Sequence, residues 1–200
     1  VGEYTITVTG TTSTDNYNVT YKNGKLTVTP YTLTAEDISW FDKQGGTALG
    51  ESGKFTYVYL AGTEHKPYAE AVGLVNGETV TLTVSGGKIN SGYGYIAEIT
   101  GISGSAAGNY VLPAEGLKVT FDIVPRPLNG KIVWSEEPLY YNGTAQAPRV
   151  FYYDADGNEY EFTKVTVDRE AVHAGKYVAS VSIDDINFTL TGDTTKTFEI

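Results

Sequence analysis

The sequence predicts an all-β protein built as tandem β-sandwich modules. Three observations carry this: side chains alternate with period two, Asn-Gly and Asp-Gly turns punctuate the runs, and one order of motifs occurs three times. In Tyr4-Thr-Ile6-Thr-Val8-Thr the large side chains take even positions and threonine the odd ones. Leu26-Thr-Val28 and Val80-Thr-Leu82-Thr-Val84 do the same. Successive strand residues face opposite ways, and threonine suits the wet face because its β-branch fits the pleat while its hydroxyl stays hydrated. The turns are Lys22-Asn23-Gly24-Lys25, Val75-Asn76-Gly77-Glu78 and Asp154-Ala-Asp156-Gly157-Asn158. No ten-residue stretch carries a helical period.

The repeat can be followed along the chain. A Tyr-led strand at Tyr4, the step Asn16-Tyr17 and a strand ending Val28-Thr29-Pro30 open it. The order recurs as Tyr95, Asn109-Tyr110 and Ile123-Val124-Pro125, and again as Tyr177, Asn187-Phe188 and Thr197-Phe198-Glu199-Ile200. Front halves match as well. Ile38-Ser-Trp40 corresponds to Ile132-Val-Trp134, and Tyr59-Leu-Ala-Gly62-Thr63 to Tyr140-Tyr-Asn-Gly143-Thr144, each followed by Pro67 or Pro148. Residues 31–126 and 127–200 therefore read as complete modules, and 1–30 as the back half of a preceding one. Proline stiffens the joints Pro30-Tyr31 and Pro125-Arg126-Pro127, which predicts modules set end to end. The half-module's apolar face (Ile6, Val8, Leu26, Val28) needs cover, expected from the following module or a second copy.

Composition narrows function. The 200 residues carry a net charge of -10. By segment the acids and bases number two and two in 1–30, ten and six in 31–126, and twelve and six in 127–200. No segment is basic, which argues against nucleic-acid partners and anionic membranes. The apolar runs are too short for a membrane span, so no membrane insertion is expected. With no cysteine, disulfides, thiolate metal sites and cysteine nucleophiles are excluded. Val1 opens directly on a strand pattern without a signal peptide, so an exported protein would contain this chain as an internal fragment.

The Gly-x-Tyr strand, the Asn-Tyr/Phe step and Gly24-Lys-Leu26-Thr-Val28-Thr-Pro30, together with Tyr141-Asn142-Gly143-Thr144, resemble MBG-type and related bacterial immunoglobulin-like tandem repeats. The resemblance implies an immunoglobulin-like β-sandwich in a cell-surface or cell-wall protein of adhesin type, extracellular, with neighbouring repeats as partners. The last repeat departs from the pattern at Thr191-Gly192-Asp193-Thr194-Thr195. A β-grasp module is the alternative fold and requires a helix across one sheet face. Gly2-Glu-Tyr4 and Gly175-Lys-Tyr177 look like the start of an immunoglobulin F strand, where a tyrosine hydroxyl returns to nearby backbone. Ile6, Ala97 and Ala179 stand where antibody domains place a cysteine.

Candidate chemistry is thin. His65 and His173 occupy non-equivalent positions, and no Gly-x-Ser-x-Gly elbow is present. Gly86-Gly87-Lys88 lacks the upstream glycine of a phosphate loop, and Glu136-Glu137 would face opposite ways on a strand. No enzyme activity is expected. Calcium is the one cofactor with a candidate site: Asp154, Asp156 and Asn158, with Glu161 following, place oxygens at alternate positions, although a hairpin turn explains the same residues. Trp40 and Trp134 read as core, not as sugar-stacking platforms, because they recur at equivalent positions, and Tyr95 and Tyr177 are expected to be largely buried at matching places as well. Tyr140, Tyr152 and Tyr153 are the ligand-binding candidates, since one tyrosine of each adjacent pair must lie outside the core. The sequons at Asn18, Asn142 and Asn187 read as strand and turn residues. The chain is thus expected to be a non-catalytic stalk or adhesion repeat. A host-glycan, mucin or extracellular-protein binding module and an accessory domain of a secreted hydrolase are the alternatives.

Overall fold

A computed structural model describes residues 1–10, 13–162 and 165–200. Strands dominate, as the alternation requires. The only helical pieces among the described residues are three-residue 3-10 turns at Ala35–Asp37, Val75–Gly77 and Ala107–Asn109. The protein is all-β, and the helix needed by the β-grasp alternative is not among the described residues.

The chain forms two compact units. One comprises Val1–Phe55, Lys66–Lys88 and Tyr95–Phe121, the other Thr56–His65, Ile89–Gly94 and Asp122–Ile200. These units are not the three segments in which the sequence repeats, which are defined below by pairing register.

The first repeat segment holds β1 (Gly2–Ile6), β2 (Ser13–Thr14), β3 (Tyr17–Asn18) and β4 (Gly24–Val28). Antiparallel β1 and β4 set Tyr4 opposite Leu26 and Gly2 opposite Val28. The second segment holds β5 (Tyr31–Thr32), β6 (Ile38–Phe41), β7 (Lys54–Val58), β8 (Tyr68–Ala71), β9 (Thr81–Ser85), β10 (Gly92–Ser103), β11 (Tyr110–Val111) and β12 (Lys118–Val124). Six of these form a sheet in the order β6-β8-β9-β10-β12-β7, while β5 and β11 pair in parallel. β13 (Arg126–Pro127) straddles the joint between the second and third segments, and the third holds β14 (Lys131–Trp134), β15 (Val150–Tyr153), β16 (Glu159–Glu161), β17 (Val165–Val167), β18 (Lys176–Val181), β19 (Phe188–Thr189) and β20 (Thr195–Glu199).

Pairing register makes the repeats explicit. Trp40 lies opposite Ala69, two residues past Pro67, and Trp134 lies opposite Val150, two past Pro148. The parallel pairs agree too: Tyr31 faces Tyr110 as Arg126 faces Phe188. In the third segment β14-β15-β16 and β17-β18-β20 follow the order of the six-stranded sheet, with β16 and β17 standing where β9 stands. Tyr177 faces Phe198 as Tyr4 faces Leu26, and Gly175 and Ile200 exchange backbone hydrogen bonds at 3.1 Å. The glycine two residues before each tyrosine lies under that ring, at both Gly2 and Gly175.

Cover, not hairpin sequence, distinguishes the copies. In the third segment Tyr177, Ala179 and Phe198 are 6%, 0% and 8% exposed and pack with Ile132, Trp134, Val150 and Ala171. In the first, Tyr4, Ile6 and Leu26 are 52%, 52% and 50% exposed. Among the described residues the following module does not bury the face expected to dock on it: Ile6, Val8, Leu26 and Val28 stay 52%, 45%, 50% and 41% exposed. Trp40, Trp134 and Tyr177 are buried as their positions predict. Tyr95, expected in the core, is only half-buried. Its ring lies 5.5 Å from Phe121 while the Lys88 ammonium stands 5.7 Å from the ring centre.

Gly86 closes the connection from β9 to β10 with φ +94°, a left-handed conformation, and a Cβ there would sit 2.3 Å from the Ile96 carbonyl oxygen. Gly86, the first of the two glycines before Lys88, is therefore fixed by backbone approach.

Candidate functional site: an open strand edge in the last repeat

The site comes from one substitution between repeats. In the second segment Lys54-Phe55-Thr-Tyr57-Val58 alternates as a strand should, and β7 pairs along the outer edge of β12. Just past it, Tyr59 donates its N–H to the Val124 carbonyl at 3.0 Å. The corresponding stretch of the third segment, placed before Tyr140 as the first is before Tyr59, reads Ser135-Glu136-Glu137-Pro138-Leu139. Pro138 lacks a backbone donor, and two successive carboxylates oppose a packed strand. This stretch forms no strand, and among the described residues no hydrogen bond joins it to the β20 backbone.

Strand β20 is consequently an edge. Its hydrogen bonds to β18 use alternate residues, fixed by the Gly175–Ile200 pair and by the Val181 N–H on the Thr194 carbonyl at 2.9 Å. The N–H and C=O groups of Thr195, Thr197 and Glu199 therefore point away from β18. Beside this edge runs an open cleft of about 510 Å³. Its apolar lining comes from Pro138, Leu139, Pro148, Phe198 and Ile200. Its charged lining is Glu136, Glu137, Lys196 and Glu199, with Lys196 paired to Glu136 and Lys176 paired to Glu199 at 3.0 Å.

The three tyrosine candidates do not share one surface. Tyr140 is 75% exposed at the cleft, and its carbonyl accepts the Gln146 side-chain amide at 2.9 Å. Tyr152 and Tyr153 take opposite faces of β15. Tyr152 follows the core-facing Ile132, which it pairs with, and its ring covers Gly130, where a Cβ would meet it at 2.2 Å. The Tyr153 hydroxyl bonds the Glu159 carboxylate on the other face, and that bond raises its pKa. On the same outer face Arg149 grips Glu161 with two bonds at 2.7 and 2.9 Å and stacks over Phe151. This pairing holds the Glu161 carboxyl below its ordinary range.

The calcium candidates form a turn. Asp154 accepts the backbone N–H groups of Asp156 and Asn158 at 2.9 Å and the Asn158 side-chain amide at 2.9 Å. The Asn158 donors lead in pulling its pKa down. Glu161 points to Arg149 instead of this turn. Among the described residues no group of three or more histidine, aspartate or glutamate side chains is placed to hold a metal ion.

His65 and His173 each stack on a tyrosine, Tyr57 and Tyr141. Burial depresses the His65 pKa. Asn187 anchors the start of the last repeat: its side-chain oxygen accepts the Ser91 N–H at 2.7 Å, and its carbonyl accepts the Arg126 N–H at 2.9 Å. Asn142 caps its own turn through Thr144.

No family model matches the chain, and no curated protein or solved structure is significantly similar to it.

Proposed function

We propose that the chain is a stretch of tandem, non-catalytic repeats of immunoglobulin-like type that serves as a stalk or adhesion segment outside the cell. The observation that carries this reading is the recurrence of one hairpin in one register. Tyr4–Leu26 and Tyr177–Phe198 are the same pair, and the Trp40 and Trp134 strands pair alike. Serial repetition of one module suits reach and display, because each copy adds length without needing a new core. The Tyr177 hydroxyl donates to the His173 carbonyl at 2.8 Å, the return bond of a tyrosine corner, and this supports the immunoglobulin-like assignment. An acidic surface keeps such a segment soluble.

Antibodies raised against residues 127–200 provide the test. Labelling of intact source cells is the expected result. Labelling that appears only after permeabilisation overturns the extracellular reading.

A further inference from the structure

We propose that the open edge of β20 is a strand-acceptor site, which takes an extended, basic and alternately apolar segment of another polypeptide. This goes beyond the stalk reading and does not depend on where the protein resides.

Three observations specify the occupant. First, the equivalent edge of β12 is filled within its own repeat by β7, so this sheet accepts a further strand at that place. Secondly, the outward groups of Thr195, Thr197 and Glu199 repeat at the two-residue spacing that a pairing strand requires. Backbone pairing of this kind supplies affinity, while side-chain pockets choose the sequence. Thirdly, the cleft beside the edge has an apolar wall of Leu139, Pro148 and Phe198 and a rim of Glu136, Glu137 and Glu199. Lys196 pairs with Glu136 and Lys176 pairs with Glu199 at 3.0 Å, so Glu137 is the rim carboxylate without an ion-pair partner among the described residues, and it faces an incoming cation. A strand with apolar side chains at alternate positions and lysine or arginine between or before them satisfies both. The strand that fills the equivalent place, Lys54-Phe55-Thr-Tyr57-Val58, has this character.

Pro138 prevents residues 135–139 from closing the gap themselves. It cannot donate to β20, and the neighbouring glutamates stay solvated. Natural proteins guard exposed edges with charge and proline; here the proline lies across the cleft at Pro138 and β20 itself has none, which leaves its outward donors open.

A synthetic peptide of segment 54–59, Lys-Phe-Thr-Tyr-Val-Tyr, is the probe, titrated into the whole chain while amide exchange is followed by NMR. Slowed exchange at Thr195, Thr197 and Glu199, with Lys196 and Phe198 little changed, is the expected result. Thr197→Pro removes one outward donor without touching the β18 ladder, and should weaken the peptide at least tenfold. In the peptide, replacing both tyrosines, whose N–H groups share the parity of the Tyr59 donor, by proline should abolish the protection. Glu137→Gln, an exposed change that leaves the fold alone, should weaken binding by a few-fold at low salt and by less at high salt. Unchanged exchange at millimolar peptide overturns the proposal, as does equal protection by the proline-containing peptide. Protection without peptide that grows with protein concentration also overturns it, by assigning the edge to a second copy of the chain.

Discussion

Replacing Trp134 by alanine removes the largest side chain from the core of the last repeat. The indole is 7% exposed, packs with Ile132, Val150, Tyr177 and Phe198, and donates its N–H to the Asp193 carbonyl at 2.7 Å. Truncating a buried tryptophan costs about 3–5 kcal/mol through lost transfer energy and the cavity left behind. Orphaning the Asp193 carbonyl adds on the order of 1 kcal/mol, less if water enters. The expected total is therefore about 4 kcal/mol or more, a large share of a domain stability of roughly 5–15 kcal/mol. Trp134→Phe keeps most of the apolar ring and loses the hydrogen bond, so it should cost about 1–2 kcal/mol. Urea unfolding should be followed by exchange of the Tyr177 and Val181 amides, because a bulk probe would mix two compact units. A loss below about 1 kcal/mol for the alanine variant would refute core packing and reopen a surface role for the indole.

Gly86→Ala must place a Cβ 2.3 Å from the Ile96 carbonyl at a left-handed φ, and should cost about 2 kcal/mol or more in a chemical melt; a neutral change contradicts the close approach. The Asp154 carboxyl is depressed by its turn donors, Asn158 foremost, and that of Glu161 by Arg149. Their contribution is thus present above the ordinary carboxylate range of about 4 and lost as pH falls through the lower folded values. An NMR titration should find both midpoints below those of free carboxylates; a midpoint at or above them contradicts the bonding described. Because Asp154 already accepts three turn donors near 2.9 Å, millimolar calcium or EDTA should leave Tm unchanged. A rise of several degrees with calcium means the turn opens onto the cation. Asn187→Ala removes the acceptor of the Ser91 N–H and should speed exchange of that amide more than tenfold; unchanged exchange contradicts the anchor.

Much of this was legible in the sequence. Alternation placed strands around Tyr4, Leu26 and Leu82, and the shared Ile-x-Trp and Gly-Thr-x-x-x-Pro motifs fixed Trp40 and Trp134 at matching registers. Adjacent tyrosines at 152 and 153 had to face opposite ways, and they do. Burial was harder to read. Tyr95 shares the motif of Tyr177 yet is only half-buried, with the Lys88 ammonium over its ring. The open edge was hidden for a different reason. Its signal was the missing alternation in Ser135-Glu-Glu-Pro138-Leu, which shows only once β7 is known to pair with β12. Separation of Tyr140 from Tyr152 and Tyr153 depended on long-range folding, to which adjacency in sequence gives no guide.

Amide exchange compared between the first and last hairpins tests most directly whether cover by the front half, and not the hairpin itself, stabilises each repeat. The register is the same in both, Tyr4 on Leu26 and Tyr177 on Phe198, but only the second pair is buried. An uncovered two-stranded hairpin is marginal in water, whereas a covered one opens only with its core. The Tyr177 and Phe198 amides should exchange at least about a thousandfold more slowly than those of Tyr4 and Leu26 in dilute solution, given a core worth roughly 5 kcal/mol. Equal protection in the two hairpins at every protein concentration would contradict it.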